Sequence, residues 1–294
     1  MNILGIDIGG SKIVTGIINT DGDVLYSAKE TLPAGTNAES LTKVIKNMCD
    51  KISEKYEFDK IGITIPGLAD TKNGIWIYAP FSGISNFAIA DKIGGIYGKP
   101  VYIENDVNAC AVAEKYFGCC KNVDDFVWIT VSNGIGGSVF TNGDLYTGYS
   151  GNAGEFGHIH VLDDPDFICG CGNYGCVEAV AAGPGISKRY GGTLTAEQIA
   201  AEARNGNTSA QNVMYDTGHY IGKALSAGIN VLNPEMAVFG GGVSQSFDLF
   251  EQGIKDALGK YMFKAANKEI KIVQTALSYN AALVGAAAIA IKQN

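Results

Sequence analysis

The sequence lacks the marks of several common protein classes. Basic residues are in the minority, with 22 Lys and Arg against 30 Asp and Glu for a formal charge of −8 over 294 residues, and no basic block occurs. Affinity for a phosphate backbone rests on clustered Lys and Arg, so nucleic acid is not an expected partner. No apolar run approaches the ~20 residues of a membrane span. The longest late one, Ala281 to Ile291, is about half that length, and the first apolar run is interrupted by Asp7. Neither a membrane span nor a leader is read, and a cytoplasmic protein is expected. Cysteine is sparse and odd in number, seven in all, which does not suit a disulfide framework and leaves metal binding or plain burial. There are only three histidines, and no G-x-x-x-x-G-K-[ST] pattern occurs. Glycine is abundant instead: 39 residues, in short clusters of the kind that bring backbone close to a ligand. A hydrophobic content of 46% excludes a disordered or fibrous chain.

The chain opens on the run Ile3 to Ile8, meets Gly9-Gly10, resumes as Ile13 to Ile18 and turns at Asp21-Gly22. The same plan returns at Phe126 to Val131, Gly134 to Gly137, Val139-Phe140 and Asn142-Gly143. Each copy reads as consecutive antiparallel strands, so two lobes of related plan are expected. Between them, Leu41, Val44, Ile45, Met48 and Ile52 recur at helical spacing, and Ile61 to Ile65 and Val101 to Ile103 read as buried strands. Asn105-Asp106 can cap a helix carrying Ala109, Val112, Ala113 and Phe117 that stops near Gly118. Helices are also read over Ile199 to Ala203, Met214 to Leu232, Phe250 to Met262 and Ala281 to Ile291, with a strand at Val238-Phe239 entering Gly240-Gly241-Gly242.

The sharpest chemical signal is Cys169-Gly170-Cys171-Gly172-Asn173-Tyr174-Gly175-Cys176, with His158 upstream. Three thiols and one imidazole complete a tetrahedral zinc set, closed and therefore structural. The alternative is a glycine-rich loop with incidental thiols. Three glycine turns could receive a phosphate on backbone N–H groups: Gly9-Gly10 with Ser11 and Lys12, Gly134 to Gly137, and Gly240 to Gly242. Each of them could equally be a plain tight turn. Asp106, Glu155 and Glu178 are the acid/base candidates, the alternative being that Asp106 only caps a helix. Asp7, a carboxylate in an apolar strand, needs a metal or a hydrogen-bond partner. His160 and His219 carry no expected role.

Four stretches then resemble one family: Asp7 to Lys12, Glu104-Asn105-Asp106-Val107-Asn108-Ala109, Ala153-Gly154-Glu155-Phe156-Gly157-His158, and C-x-C-G-x-x-G-C-x-E from Cys169 to Glu178. In that order they are similar to the ROK (repressor, open reading frame, kinase) sugar kinases. The resemblance implies an α/β two-lobed actin-like ATPase (ribonuclease H-like) fold, with ATP and sugar in a cleft between duplicated lobes. The lobes would be residues 1–108, with the C-terminal helix 281–294 packing back, and residues 109–280. It implies ATP-dependent phosphorylation of a hexose 6-hydroxyl with Asp106 as general base. Asn105, Glu155, His158, Glu178 and Gly67 would bind the sugar, and Asp7 would sit near the Mg²⁺ of MgATP. Gly9, Gly10, Ser11, Lys12, Asn133, Gly134, Gly136 and Gly137 would face the phosphates, and Gly240, Gly241 and Gly242 the adenosine. His158, Cys169, Cys171 and Cys176 would hold Zn²⁺ in a homodimer or homotetramer.

Ser11 and Asn133 replace the Thr usual at those positions. Phe81 and Ile84 stand near where glucokinase-like members carry Asn and Trp, and Cys176-Val177-Glu178-Ala179 is worded as in N-acetylmannosamine kinases. An N-acetylhexosamine kinase is therefore the alternative substrate reading, and a non-catalytic sugar-sensing regulator the alternative class. Such regulators carry a helix-turn-helix before their first strand, and with the first strand read from Ile3 none is expected here.

Overall fold

A computed structural model describes residues 1–33, 35–78, 83–267 and 270–292. Phe81 lies outside them. The chain divides into two compact units, Met1–Asn122 with Gly148–Asn152 and Tyr279–Asn294, and Val123–Thr147 with Ala153–Ser278.

The first unit opens on a meander, β1 (Asn2–Ile8), β2 (Lys12–Asn19) and β3 (Val24–Thr31), and continues through α1 (Ala38–Ser53) to β4 (Lys60–Ile65). A small antiparallel sheet of β5 (Leu68–Asp70), β6 (Ile75–Tyr78) and β7 (Ser85–Phe87) follows, then α2 (Ile89–Tyr97), β8 (Val101–Asn105) and α3 (Asp106–Phe117). The main sheet runs β3-β2-β1-β4-β8, with β4 parallel to β1 and β8 parallel to β4.

Because strand side chains alternate, β1 presents two different faces. Leu4, Ile6 and Ile8 join Leu41, Ile45 and Met48 of α1 and Ile93 of α2 in one core. Ile3, with Ile18 of β2, packs on Leu283, Ala287 and Ala290 of the C-terminal helix, Ala281–Lys292. That helix approaches closely because its docking face on the sheet includes glycine. A Cβ at Gly62 would lie 1.6 Å from the Ala286 carbonyl oxygen, and on the far side of the helix one at Gly285 would lie 2.5 Å from the Ala109 oxygen.

The second unit repeats the plan. Strands β9 (Phe126–Val131), β10 (Ile135–Thr141) and β11 (Asp144–Tyr146) form its meander. A 3-10 turn at Phe156–His158 and helices α4 (Val177–Ala181), α5 (Gly183–Arg189), α6 (Ala196–Arg204) and α7 (Thr208–Leu232) follow. Then come β12 (Met236–Gly240), α8 (Phe247–Tyr261) and β13 (Lys271–Gln274). Its sheet runs β11-β10-β9-β12-β13, again three antiparallel strands extended by two parallel ones.

The division departs from a boundary at residue 108. A cut there would sever α3, one continuous helix whose Ala109 packs against Gly285. Among the described residues no helix is long and apolar enough to cross a membrane.

Candidate active site

In the first unit the chemistry gathers at the C-terminal ends of the parallel strands, where open α/β sheets bind ligands. Asp7 shares a sheet face with Gly5, and its register partner on β4 is Thr64. The Thr64 hydroxyl donates to Asp7 Oδ1 at 2.8 Å. Burial raises the Asp7 pKa above the ordinary carboxylate range, opposed by that hydrogen bond and by the Lys12 charge. Thr64 was not singled out in the sequence, although a lone hydroxyl in the apolar run Ile61 to Ile65 is a signal of the same kind as Asp7.

At the end of β8 the helix cap is Asn105, not Asp106. Asn105 Oδ1 accepts the N–H groups of Val107 at 2.9 Å and Asn108 at 3.2 Å, and its Nδ2 donates to the Gly67 carbonyl at 3.0 Å. Most of the Asn105 amide is thus committed to the fold, and it ties Gly67, in a left-handed conformation at φ 85°, to the start of α3. Half-buried Glu104 steadies the junction, its Oε1 accepting the Asn105 N–H at 2.9 Å and Asn108 Nδ2 at 3.1 Å.

Asp106 is the first residue of α3. It keeps some surface exposure, yet the protein around its carboxylate removes enough water to dominate its titration. Burial and the nearby negative charge of Asp7 push its pKa up to about 7, against a hydrogen bond from the Val107 N–H. A carboxylate titrating there holds and releases a proton at working pH, as a general base must.

Of the first glycine turn, the Gly9 N–H donates to the Lys12 carbonyl at 2.8 Å, so Gly9 closes the turn, while Gly10, Ser11 and Lys12 are exposed.

In the second unit His158, Cys169, Cys171 and Cys176 come together, their ligand atoms all within 4.8 Å of one another. Cys171 and Cys176 Sγ are 3.7 Å apart, and Cys169 Sγ is 3.5 Å from His158 Nδ1. Sulfurs bound at ~2.3 Å in a tetrahedron stand about 3.7 Å from each other, so the donor set fits zinc. His158 turns Nδ1 to the sulfurs, while Nε2 lies 3.6 Å from Glu155 Oε2.

Glu178, at the second position of α4, accepts the Ile135 N–H at 3.0 Å beside the second glycine turn, where Asn133 is exposed and Gly136 and Gly137 are half-buried. In the third turn Gly240 is dictated by packing, since a Cβ there would lie 2.3 Å from the Trp128 ring, while Gly241 is half-buried and Gly242 exposed. His160 props the cysteine loop through the Tyr174 carbonyl and Asp163.

A sequence model of the ROK family matches residues 3–293. The chain belongs to the ROK family. This ROK protein is 29% identical to a glucokinase of Thermotoga maritima, over 98% of the chain and 97% of that protein. It is 27% identical to a xylose repressor of Caldicellulosiruptor bescii, over 99% of the chain and 78% of the repressor. Its structure matches a ROK glucokinase from Streptomyces griseus, solved with glucose and AMPPNP, at a TM-score of 0.87 and 28% identity over the full length of both chains. The fold of this ROK protein is thus the two-lobed actin-like ATPase fold, the duplicated sheets being its two lobes.

Proposed function

We propose that this ROK protein is an ATP-dependent hexose kinase that phosphorylates the sugar 6-hydroxyl, glucokinase-like in substrate, with Asp106 as general base. The observation that carries the reading is Asp106 itself: it is held at a strand-to-helix junction, relieved of capping by Asn105, and poised near pH 7. A site that only bound sugar would not need a carboxylate tuned in this way.

In phosphoryl transfer the protein positions the nucleophile and neutralises phosphate charge. Asp106 accepts the proton as the sugar oxygen attacks the γ-phosphorus and the bond to ADP breaks. Asn105 orients Asp106 and Gly67 through its cap and its amide bond. Glu155, His158 and Glu178 hydrogen-bond the remaining hydroxyls. Asp7, with Thr64 fixing one oxygen, faces the Mg²⁺ of MgATP. Gly10, Ser11, Lys12, Asn133, Gly134, Gly136 and Gly137 face the phosphates, Gly9 shapes the first turn, and Gly240 to Gly242 take the adenosine. His158, Cys169, Cys171 and Cys176 hold Zn²⁺, which supplies rigidity to the sugar-binding side chains. The protein works as a homodimer or homotetramer in the cytoplasm.

The match to a repressor over nearly the whole chain favours a second reading, a sugar-sensing regulator without turnover. An N-acetylhexosamine is the alternative substrate. Coupled ADP release with MgATP over glucose, mannose, fructose, allose, glucosamine, N-acetylglucosamine and N-acetylmannosamine tests all three. Glucose-dependent turnover is expected, falling by several orders of magnitude in Asp106→Asn while sugar binding persists. Sugar binding without any turnover would establish the regulator, and nearly full turnover in the variant would remove Asp106 as the base.

A further inference from the structure

The Glu178 carboxylate is divided between two parts of the second unit. Oε2 accepts the Ile135 N–H at 3.0 Å and occupies the space a Gly134 side chain would need, 2.7 Å from where its Cβ would lie. Oε1 lies 3.6 Å from Cys169 Sγ. Glu178 also sits two residues beyond Cys176, which precedes the first turn of α4. One side chain therefore touches both the cysteine cluster and the glycine turn between β9 and β10.

The other ties on that turn come from the same neighbourhood. The Ser132 N–H bonds the Gly134 carbonyl at 2.9 Å, and the Gly183 N–H, just past α4, bonds the Ser132 carbonyl at 2.8 Å. On the far flank, Gly157 of the 3-10 turn approaches so closely that a Cβ there would lie 1.9 Å from the Ile135 oxygen. With glycine at 134 in the turn and at 136 and 137 in the first residues of β10, this segment has backbone freedom to lose at its open end when it receives a ligand. A carboxylate bonded to its N–H removes part of that freedom beforehand.

Resting on the reading that this turn faces the nucleotide phosphates, we propose that Glu178 is a positioning residue that carries the state of the Cys/His metal cluster to the phosphate-facing turn Asn133–Gly137. A metal that fixes Cys169 and Cys176 fixes the start of α4. The start of α4 places Glu178, and Glu178 holds Ile135. A role confined to sugar hydroxyls would leave nucleotide binding in the absence of sugar untouched.

The test is MgADP binding by calorimetry to the zinc-loaded full chain without sugar, together with amide hydrogen exchange at Ile135. Glu178→Gln keeps an acceptor oxygen for Ile135, Glu178→Asp keeps the charge but withdraws the reach, and Glu178→Ala removes both. Expected are a Kd within about threefold of the parent for Gln and about tenfold weaker for Asp and Ala, with Ile135 exchange faster by a similar factor in the latter two. Chelating the zinc from the parent should weaken MgADP comparably and add little in Glu178→Ala. An unchanged Kd and unchanged Ile135 exchange in both Asp and Ala would overturn the proposal, and the Asp variant serves if Ala does not fold. A parent that binds no MgADP would overturn the nucleotide reading, and with it this proposal, while leaving the Ile135 exchange contrast intact.

Discussion

Asp106 has consequences that can be measured without substrate. Its folded pKa is raised to about 7, so the native state holds a proton that the unfolded chain has already released between the ordinary carboxylate value and about 7. Stability must therefore fall as pH rises through that window, by about 1.4 kcal/mol for each pH unit crossed. The Asp106→Asn variant should melt several degrees above the parent at pH 8 and level with it near pH 4. In an Asp7→Asn background the window should narrow, since one negative neighbour is gone. The same ionisation should give kcat/KM for the sugar an acid limb, rising tenfold per pH unit below about 7 and flat above it. At this scale the sequence is only partly legible. Asp7 stands out because a charge in an apolar strand needs a partner. Thr64 is the same kind of signal but a weaker one, because a strand hydroxyl is neutral and common, and Glu104 opens its motif without showing a role, because its bonds to Asn105 and Asn108 exist only once the strand turns into the helix. The contact between Glu178 and Ile135 joins residues 43 apart in sequence, which no local pattern encodes.

Among the elements, the C-terminal helix depends on glycine at its docking face. Gly62→Ala would put a methyl group into the Ala286 carbonyl and should cost about 3 kcal/mol, a fall in Tm of roughly 5 °C by thermal denaturation. Gly95→Ala in α2, where nothing lies within 4 Å, should be neutral or slightly stabilising. In the cysteine loop, Cys171→Ser should reduce bound zinc from about one per chain towards none by elemental analysis and lower the Tm, because three ligands hold the ion less well than four. The hairpins could be read in advance because Asp21-Gly22 and Asn142-Gly143 punctuate them. Helix α7 begins at Thr208 rather than near Met214, because Asn207 caps it through the Ala210 N–H and a polar first turn carries no apolar period. The short strands β5 and β7, at three residues each, are below the length at which alternation can be counted.

For the molecule as a whole, the two glycine-interrupted meanders pointed to a repeated plan, and the sheets have the same strand order and the same mixture of directions. The boundary was harder to read, because it depends on where α3 packs and not on any change of composition. Unit one is built from segments far apart in the chain, and its last piece, Tyr279–Asn294, follows nearly all of unit two. On the ribosome the glycine-floored face of the first sheet is translated early, but the helix that covers it emerges about 160 residues after Asn122. At ~5–20 residues per second that is a delay on the order of 10 s. The domain begun first is thus finished last, and for that interval the nascent chain carries an uncovered apolar sheet face of the sort chaperones bind.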